Sequence, residues 1–241
     1  MTFFKKVFRL WYGVVFMGLF FLLGFQNINI GVNNQVNTGG IVGGDCIQGN
    51  GRMTEEVRRT KPFSEINIEG VFDVHLACGD KQLIEITADS NLHSKIITEV
   101  KNGKLTVYVK GAVCTQKPMI VKITVPKALR AVAADGSSDL EGLLNGCSAD
   151  MLLVDLQGAC TMKLAGSTEN FELRLQGASE FDGEEFHARK VKIIAEDATE
   201  AKIFVTDELS GSVGGTSEIL YGGNPAHVQV DISDIGEVSP L

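Results

Sequence analysis

The chain has 241 residues, of which 44% are apolar, so it is long enough to bury the core of one large domain or of two small ones. The first 44 residues hold three of its 22 basic residues and none of its 30 acidic ones, so the remainder carries a net charge of −11. Because a body that acidic is repelled by phosphate backbones, we expect no nucleic-acid binding. The 27 glycines follow no Gly-X-Y period, which excludes collagen.

Residues 1–25 have the pattern of a signal peptide or an N-terminal membrane anchor. A short basic segment ends at Arg9, and residues 10–25 are apolar and uncharged. This run fits the apolar region of a signal peptide and is slightly shorter than the roughly 20 residues of a membrane-spanning helix. No Ala-x-Ala cleavage site follows, so both alternatives stay open. The basic flank predicts export to the periplasm or cell surface, with residues 10–25 in contact with the inner membrane if they are not cleaved.

Residues 26–56 are rich in Asn and Gly and are interpreted as a tether. Cys46 follows Asp45 and lies too far beyond the apolar run for lipidation. Five cysteines in an exported chain leave at least one unpaired. Cys78 and Cys114 both end strand-like apolar runs, so a disulfide between them is one alternative and buried free thiols are the other. No Cys-x-x-Cys spacing occurs, so we expect no structural zinc.

A repeat of about twenty residues organises the rest of the chain. Its anchors are spaced 22, 19, 20 and 18 residues apart, at Gly136, Gly158, Gly177, Asp197 and Gly215. Glycine suits a corner that needs positive φ, and Asp is among the residues that tolerate one. Before the anchors, apolar residues alternate with polar ones, which indicates strands with one buried face. We therefore expect Leu156, Leu173 and Leu175 to share one core.

Fixed-period units of strand, corner and strand indicate a solenoid or a propeller. A propeller blade needs roughly 40 residues, and the Asn-containing signature of leucine-rich repeats is absent. We therefore predict an all-β fold, a single-stranded parallel β-helix or β-solenoid with coils of about 20 residues, over residues 57–235, followed by a tail at 236–241. The repeat blurs between residues 70 and 136, strand assignment over 77–130 stays open, and residues 91–99 are interpreted as one helical turn.

Two further columns follow from the stacking of coils. Two positions after each anchor, small side chains are expected at one corner, at Ser138, Cys160, Ser179, Thr199 and Ser217, with Cys160 a free structural thiol. One position later, Glu180, Glu200 and Glu218 are expected in an outward-facing column about 4.8 Å apart, after Asp73, Asp139 and Thr161 in earlier coils. This acidic column serves solubility in one interpretation, and binds a divalent cation or a basic partner in the other.

Several segments resemble one known family in order along the chain. They are Phe63-Ser64-Glu65-Ile66-Asn67-Ile68-Glu69-Gly70-Val71-Phe72-Asp73-Val74, Gly79-Asp80, residues 88–92 and 103–107, and the closing Gly215-Thr216-Ser217-Glu218-Ile219-Leu220-Tyr221-Gly222-Gly223-Asn224-Pro225. Over residues 60–225 the chain resembles the head GIN domain family of "putative auto-transporter adhesins". The resemblance implies a β-solenoid exported to the cell envelope, commonly of Bacteroidetes-type bacteria. It implies no catalytic residue.

The expected function is therefore that of a non-catalytic, adhesin-like or scaffolding module that binds a protein or glycan of the envelope or outside the cell. Self-association through the solenoid ends is a further expectation, and no cofactor is expected. The alternative is a polysaccharide lyase or glycosidase, which needs paired carboxylates, or Ca²⁺ with a basic residue, in one groove. The 4 His residues occupy different positions of the repeat, and no Gly-x-Ser-x-Gly, His-Glu-x-x-His or phosphate-loop motif occurs.

Overall fold

The computed structural model describes residues 46–125 and 128–241, so the predicted signal or anchor segment lies outside the described residues. Within those ranges the regular secondary structure is all β. The first nine strands are β1 (Ile47–Gln48), β2 (Met53–Arg58), β3 (Glu65–Gly70), β4 (Asp73–Cys78), β5 (Leu83–Asp89), β6 (Ile96–Lys101), β7 (Lys104–Val109), β8 (Val113–Cys114) and β9 (Ile120–Val125). The remaining strands are β10 (Leu129–Gly136), β11 (Asp139–Leu144), β12 (Ser148–Gly158), β13 (Thr161–Leu175), β14 (Glu180–Ala195), β15 (Glu200–Val213), β16 (Glu218–Gly222), β17 (His227–Ile232) and β18 (Glu237–Pro240).

The strands stack as two parallel ladders, which confirms the β-solenoid. The first ladder precedes the repeating corner and runs in the order β7-β3-β10-β12-β13-β14-β15-β17. The second ladder follows the corner and runs in the order β9-β4-β11-β13-β14-β15-β16-β18. Strands β13, β14 and β15 are long enough to contribute to both ladders. Each coil therefore satisfies its backbone hydrogen bonds with the coils before and after it.

The corner between the two ladders has the left-handed backbone that the repeat predicts. The angle φ is positive at every anchor: Gly136 (120°), Gly158 (83°), Gly177 (82°), Asp197 (70°) and Gly215 (65°). A Cβ added to Gly177 would lie 2.4 Å from the carbonyl oxygen of Gly158, so this close approach requires glycine. Asp197 is accommodated because its carboxylate accepts a hydrogen bond of 3.1 Å from the Gly177 N–H.

The core and the small-residue column also form as predicted. Leu156, Leu173 and Leu175 are buried in one apolar cluster. The column of Ser138, Cys160, Ser179, Thr199 and Ser217 is buried behind the corner. Its polar atoms bond within the corner; the Ser179 hydroxyl, for example, donates to the Gln176 carbonyl at 2.9 Å. Cys160 is a free cysteine, and burial raises the pKa of its thiol, which suits a structural role.

The N-terminal end departs from the repeat. Strands β2, β5 and β6 join antiparallel neighbours, and we call these three strands the cap. The helical turn predicted for residues 91–99 is wrong, because residues 90–95 form turns and β6 begins at Ile96. Strand β1 and the first four residues of β2 lie in the predicted tether, and β18 lies in the predicted tail. Val238 of β18 continues the apolar column of Ile219. Because β18 has only four residues, its alternation of apolar and polar residues is too short to be recognised in the sequence.

Two disulfides tie this end together, Cys46–Cys114 and Cys78–Cys147. The predicted alternative of a Cys78–Cys114 bond is therefore wrong. Cys78 ends β4 in the second ladder and lies next to the residue that precedes β12, whereas Cys114 lies in β8, which pairs with β1. Among the residues that the structure describes, no helix is long and apolar enough to cross a membrane.

Candidate binding surfaces

A recess of the described surface lies beside the first corner of the solenoid. It has a volume of about 830 Å³, within the range of roughly 300–1,000 Å³ that is usual for small-molecule sites. Residues 69–73 form one side and residues 109–119 form the other. Val71, with 64% of its surface exposed, lies at the opening, while Phe72 and Met119 are buried beneath it. Glu69, Asp73 and Lys117 add charged groups to the lining.

The walls of the recess are held by contacts that link distant parts of the chain. The Cys46–Cys114 disulfide and the pairing of β1 with β8 fix the segment that carries residues 112–115. The Thr115 hydroxyl donates to the buried Asp89 carboxylate at 2.7 Å, and the Lys117 ammonium donates to the Gly51 carbonyl at 2.8 Å. Through this hydrogen bond Lys117 fixes the wall of the recess, and its ammonium also adds positive charge to the lining.

A departure from the repeat at the first corner indicates this recess, although it was not recognised from the sequence. In later coils the anchor is followed by two small residues, such as Ala178 and Ser179. In the first coil Gly70 has the same positive φ, but Val71 and Phe72 take the two small-residue positions. A large apolar residue at an exposed corner creates a local apolar surface, and that substitution marks the site.

The acidic column is present in the predicted order. Strand pairing aligns Glu180 with Thr161, Glu200 and Glu218 in successive coils, and the column continues to Glu237. At its other end Asp73 pairs directly with Asp139. The depression at the three central glutamates is only about 90 Å³. Within residues 46–125 and 128–241, no group of three or more His, Cys, Asp or Glu side chains is arranged to hold a metal ion.

A neighbouring column offsets part of this negative charge. Lys163 approaches Asp182 at 3.9 Å, and Lys202 forms an ion pair of 2.9 Å with Glu184. The hydrogen bond and charge of Glu184 raise the pKa of Lys202. These lysines lie beside the acidic column on the same exposed surface, so the arrangement fits a solvated face with compensating charges.

The double variant Glu180→Gln with Glu200→Gln is expected to unfold at a slightly higher temperature than the wild type. Unit charges about 4 Å apart repel by about 1 kcal/mol in water, and removing two of them relieves that repulsion. A thermal melt should show a rise of about 2–4 °C at low salt, which shrinks as salt is added. Millimolar Ca²⁺ should leave both melting temperatures unchanged. A Ca²⁺-dependent rise in the wild type alone would instead establish a cation site.

The histidines do not come together, as expected from their positions in the repeat. His75 lies 3.7 Å from Glu141, His93 lies 3.3 Å from Glu56, His187 stacks on Phe204, and His227 pairs with Glu208 in the ladder. His93 is buried, and its Nε2 lies 2.9 Å from the Thr54 carbonyl, which fixes the turn before β6 against β2. Each histidine therefore has a local structural neighbour.

Residues 62–225 match the family described as "Putative auto-transporter adhesin, head GIN domain". The chain belongs to this family. No curated protein matches it. Among solved structures, the head GIN domain is similar to a "putative adhesin" from Bacteroides fragilis, with 18% identity, a TM-score of 0.62, and coverage of 81% of this chain and 100% of that one. It is also similar to a "putative lipid binding protein" from Parabacteroides distasonis, with 18% identity, a TM-score of 0.52, and coverage of 82% and 100%.

These structural neighbours confirm the fold of the head GIN domain. The family is described as one of adhesins, which favours a non-enzymatic role and a location outside the cytoplasm. A solenoid supports many unrelated functions, so the particular ligand has to be argued from the surface of this chain.

Proposed function

We propose that this head GIN domain is a non-catalytic binding module of the cell envelope, exported and displayed in the periplasm or at the cell surface. Its family supports an adhesin-like role. Its two disulfides support an oxidising compartment, because such bonds are rare in the reducing cytosol.

The observation that carries the proposal is the recess beside the first corner. Its lining is mainly apolar and includes a few charged residues. Sites with this composition bury an apolar group of the ligand and use a few polar contacts to orient it. We therefore propose that the recess takes an apolar group, such as the acyl chain of an envelope amphiphile, which fits the description of the neighbour from Parabacteroides distasonis as a "putative lipid binding protein".

The rival proposal of a carbohydrate-active enzyme receives less support. A glycosidase needs two carboxylates on opposite sides of the scissile bond, about 5–9.5 Å apart, in a groove that holds the sugar. The carboxylates of the acidic column lie side by side on adjacent strands. The depression of about 90 Å³ between them is far below the usual volume of a ligand site.

The variant Val71→Lys is expected to weaken binding of an uncharged fluorescent acyl probe, the methyl ester of 11-dansylamino-undecanoic acid, by about tenfold or more. A charged side chain at the opening must be desolvated when the acyl chain enters, which opposes binding. The matched control is Leu143→Lys, because Leu143 is 55% exposed and lies outside the recess. The measurement is a fluorescence titration of the full-length protein in detergent. The probe is kept below the concentration at which it forms micelles.

Equal affinity of the two lysine variants would rule out the recess as the acyl site. A glycan array on the same preparations separates the other ligand class. Glycan binding that survives Val71→Lys, together with no probe binding by the wild type, would retain the binding module and reject its apolar ligand.

A further inference from the structure

The last coil leaves apolar core positions in contact with solvent. Val228, Val230 and Ile232 of β17 continue the columns of Leu209, Gly211 and Val213, and the side chains of Leu209 and Val213 are buried in the core. Yet Val228 is 46% exposed and Ile232 is 53% exposed. In the part of the chain that the structure describes, β17 pairs only with β15 and β18 pairs only with β16.

The opposite end of the solenoid is different, because the cap closes it. Inward-facing residues of the cap, including Ile84, Ile86 and Ile96, are at most 1% exposed. Further apolar surface at the β17 end comes from Ile235, which is 75% exposed, and from Leu241, which is 60% exposed. An apolar surface concentrated beside an unpaired strand edge is typical of an interaction site.

The backbone of β17 is poised to form a further ladder. Ser233 N–H donates to the Val213 carbonyl, and Ile235 N–H donates to the Gly215 carbonyl. Because backbone groups alternate in direction along a strand, Val228, Val230 and Ile232 point their N–H and C=O groups toward the free edge. The residues with free backbone groups are therefore the same ones whose apolar side chains face inward.

We propose that a second copy of this chain occupies this edge, with the two β17 strands antiparallel and Val230 opposite Val230. A two-fold axis through Val230 then places Val228 opposite Ile232 of the other copy and joins the two cores. All three of these pairs are hydrogen-bonded pairs of an antiparallel ladder. Such an interface is isologous, so one surface is complementary to itself.

The charge pattern of β17 supports a second copy as the occupant. In this register Asp231 lies opposite Gln229, so the single carboxylate of the strand meets a neutral amide. A register displaced by two residues in one direction would place Asp231 opposite Asp231 and bring like charges together. A displacement in the other direction would place Ile232 opposite Ala226 and lose an apolar pair. Only the register through Val230 separates the carboxylates and also pairs all three apolar residues.

Strand β18 limits the size of the interface. Leu241 N–H donates to the Tyr221 carbonyl, so the alternation places the nitrogen of Pro240 at the free edge, where proline has no N–H to donate. The pairing therefore depends mainly on β17, which at about 3.3 Å per residue is only about 20 Å long. An interface of this size is expected to be weak and concentration-dependent.

Cysteine cross-linking of the full-length protein in detergent tests the register. Gln229→Cys and Asp231→Cys variants carrying different tags are mixed and oxidised. The proposal expects a covalent dimer containing both tags, because these residues form a non-hydrogen-bonded pair with Cα atoms about 4.5 Å apart. The matched control is Ser210→Cys mixed with Ser212→Cys, since these residues align with Gln229 and Asp231 one coil earlier.

The mixed dimer should exceed that of the control pair by at least tenfold on a non-reducing gel. Adding Ile232→Lys to both variants should abolish it without lowering the melting temperature, because Ile232 is already half exposed. A yield equal to that of the control would overturn the proposal. So would capture of a different protein by the edge cysteines in place of the second copy.

Discussion

Replacing Leu175 with alanine is expected to lower the free energy of unfolding by about 2–5 kcal/mol. Leu175 is 2% exposed and stacks in register between Leu156 and Ala195. Neighbouring coils are fixed by their ladder hydrogen bonds and cannot collapse fully into the space, so the substitution loses apolar burial and leaves a cavity. Urea unfolding followed by circular dichroism measures the effect as a lower midpoint at a similar slope.

The neighbouring exposed residue provides the control for this core substitution. Gln176→Ala removes a side chain that faces solvent, so the free energy of unfolding should change by less than about 0.5 kcal/mol. Equal midpoints for Leu175→Ala and Gln176→Ala would contradict the assignment of Leu175 to the core.

Removing the Cys78–Cys147 disulfide, by Cys78→Ala with Cys147→Ala, is expected to cost about 4 kcal/mol. The two cysteines are 69 residues apart, and a cross-link over a loop of that length restricts the unfolded chain strongly. Urea unfolding of the oxidised protein gives the loss. The control is Cys160→Ser, which places a serine in a column that already holds Ser138 and Ser179, so we expect a change of about 1 kcal/mol or less.

Alkylation of the denatured, unreduced wild type followed by mass spectrometry checks the pairing itself. One cysteine of the five, Cys160, should be labelled in protein recovered from the envelope. Labelling of Cys78 or Cys147 in that fraction would show that the bond does not form there. In that case the double alanine variant should unfold at almost the same urea concentration as the wild type.

The coils from β10 onward could be predicted from the sequence because each coil packs on a neighbour of nearly the same shape. The anchor at Gly177 requires glycine because its backbone lies close to that of the neighbouring corner, and glycine therefore recurs at four of the five anchors. Asp197 occupies the remaining anchor, where its carboxylate accepts a hydrogen bond from the preceding corner. Leu156 and Leu175 share a column for the same reason. Equivalent positions in stacked coils need similar residues, so the period of the structure is visible in the sequence.

The cap could not be predicted in this way because its strands pair antiparallel and contribute no period. Strand β2 contains Glu55 and Glu56 in succession, so it lacks the alternation that marks a half-buried strand. The disulfide partners were missed because Cys78 and Cys147 lie 69 residues apart, and Cys78 ends β4, whose pairing with β11 falls where the repeat blurs. The recess was missed for a related reason, since residues 109–119 lie beside Val71 because β7 pairs with β3 and β9 pairs with β4, where the repeat is not recognisable.

The Cys46–Cys114 disulfide also sets how the domain would carry a mechanical load. Strands β1 and β8 share only two residue pairs, so tension applied to the chain before Cys46 would peel them apart with little resistance. The covalent bond instead passes that tension to Cys114, in the wall of the recess, so a pull on the preceding chain would enter the folded domain beside the proposed ligand.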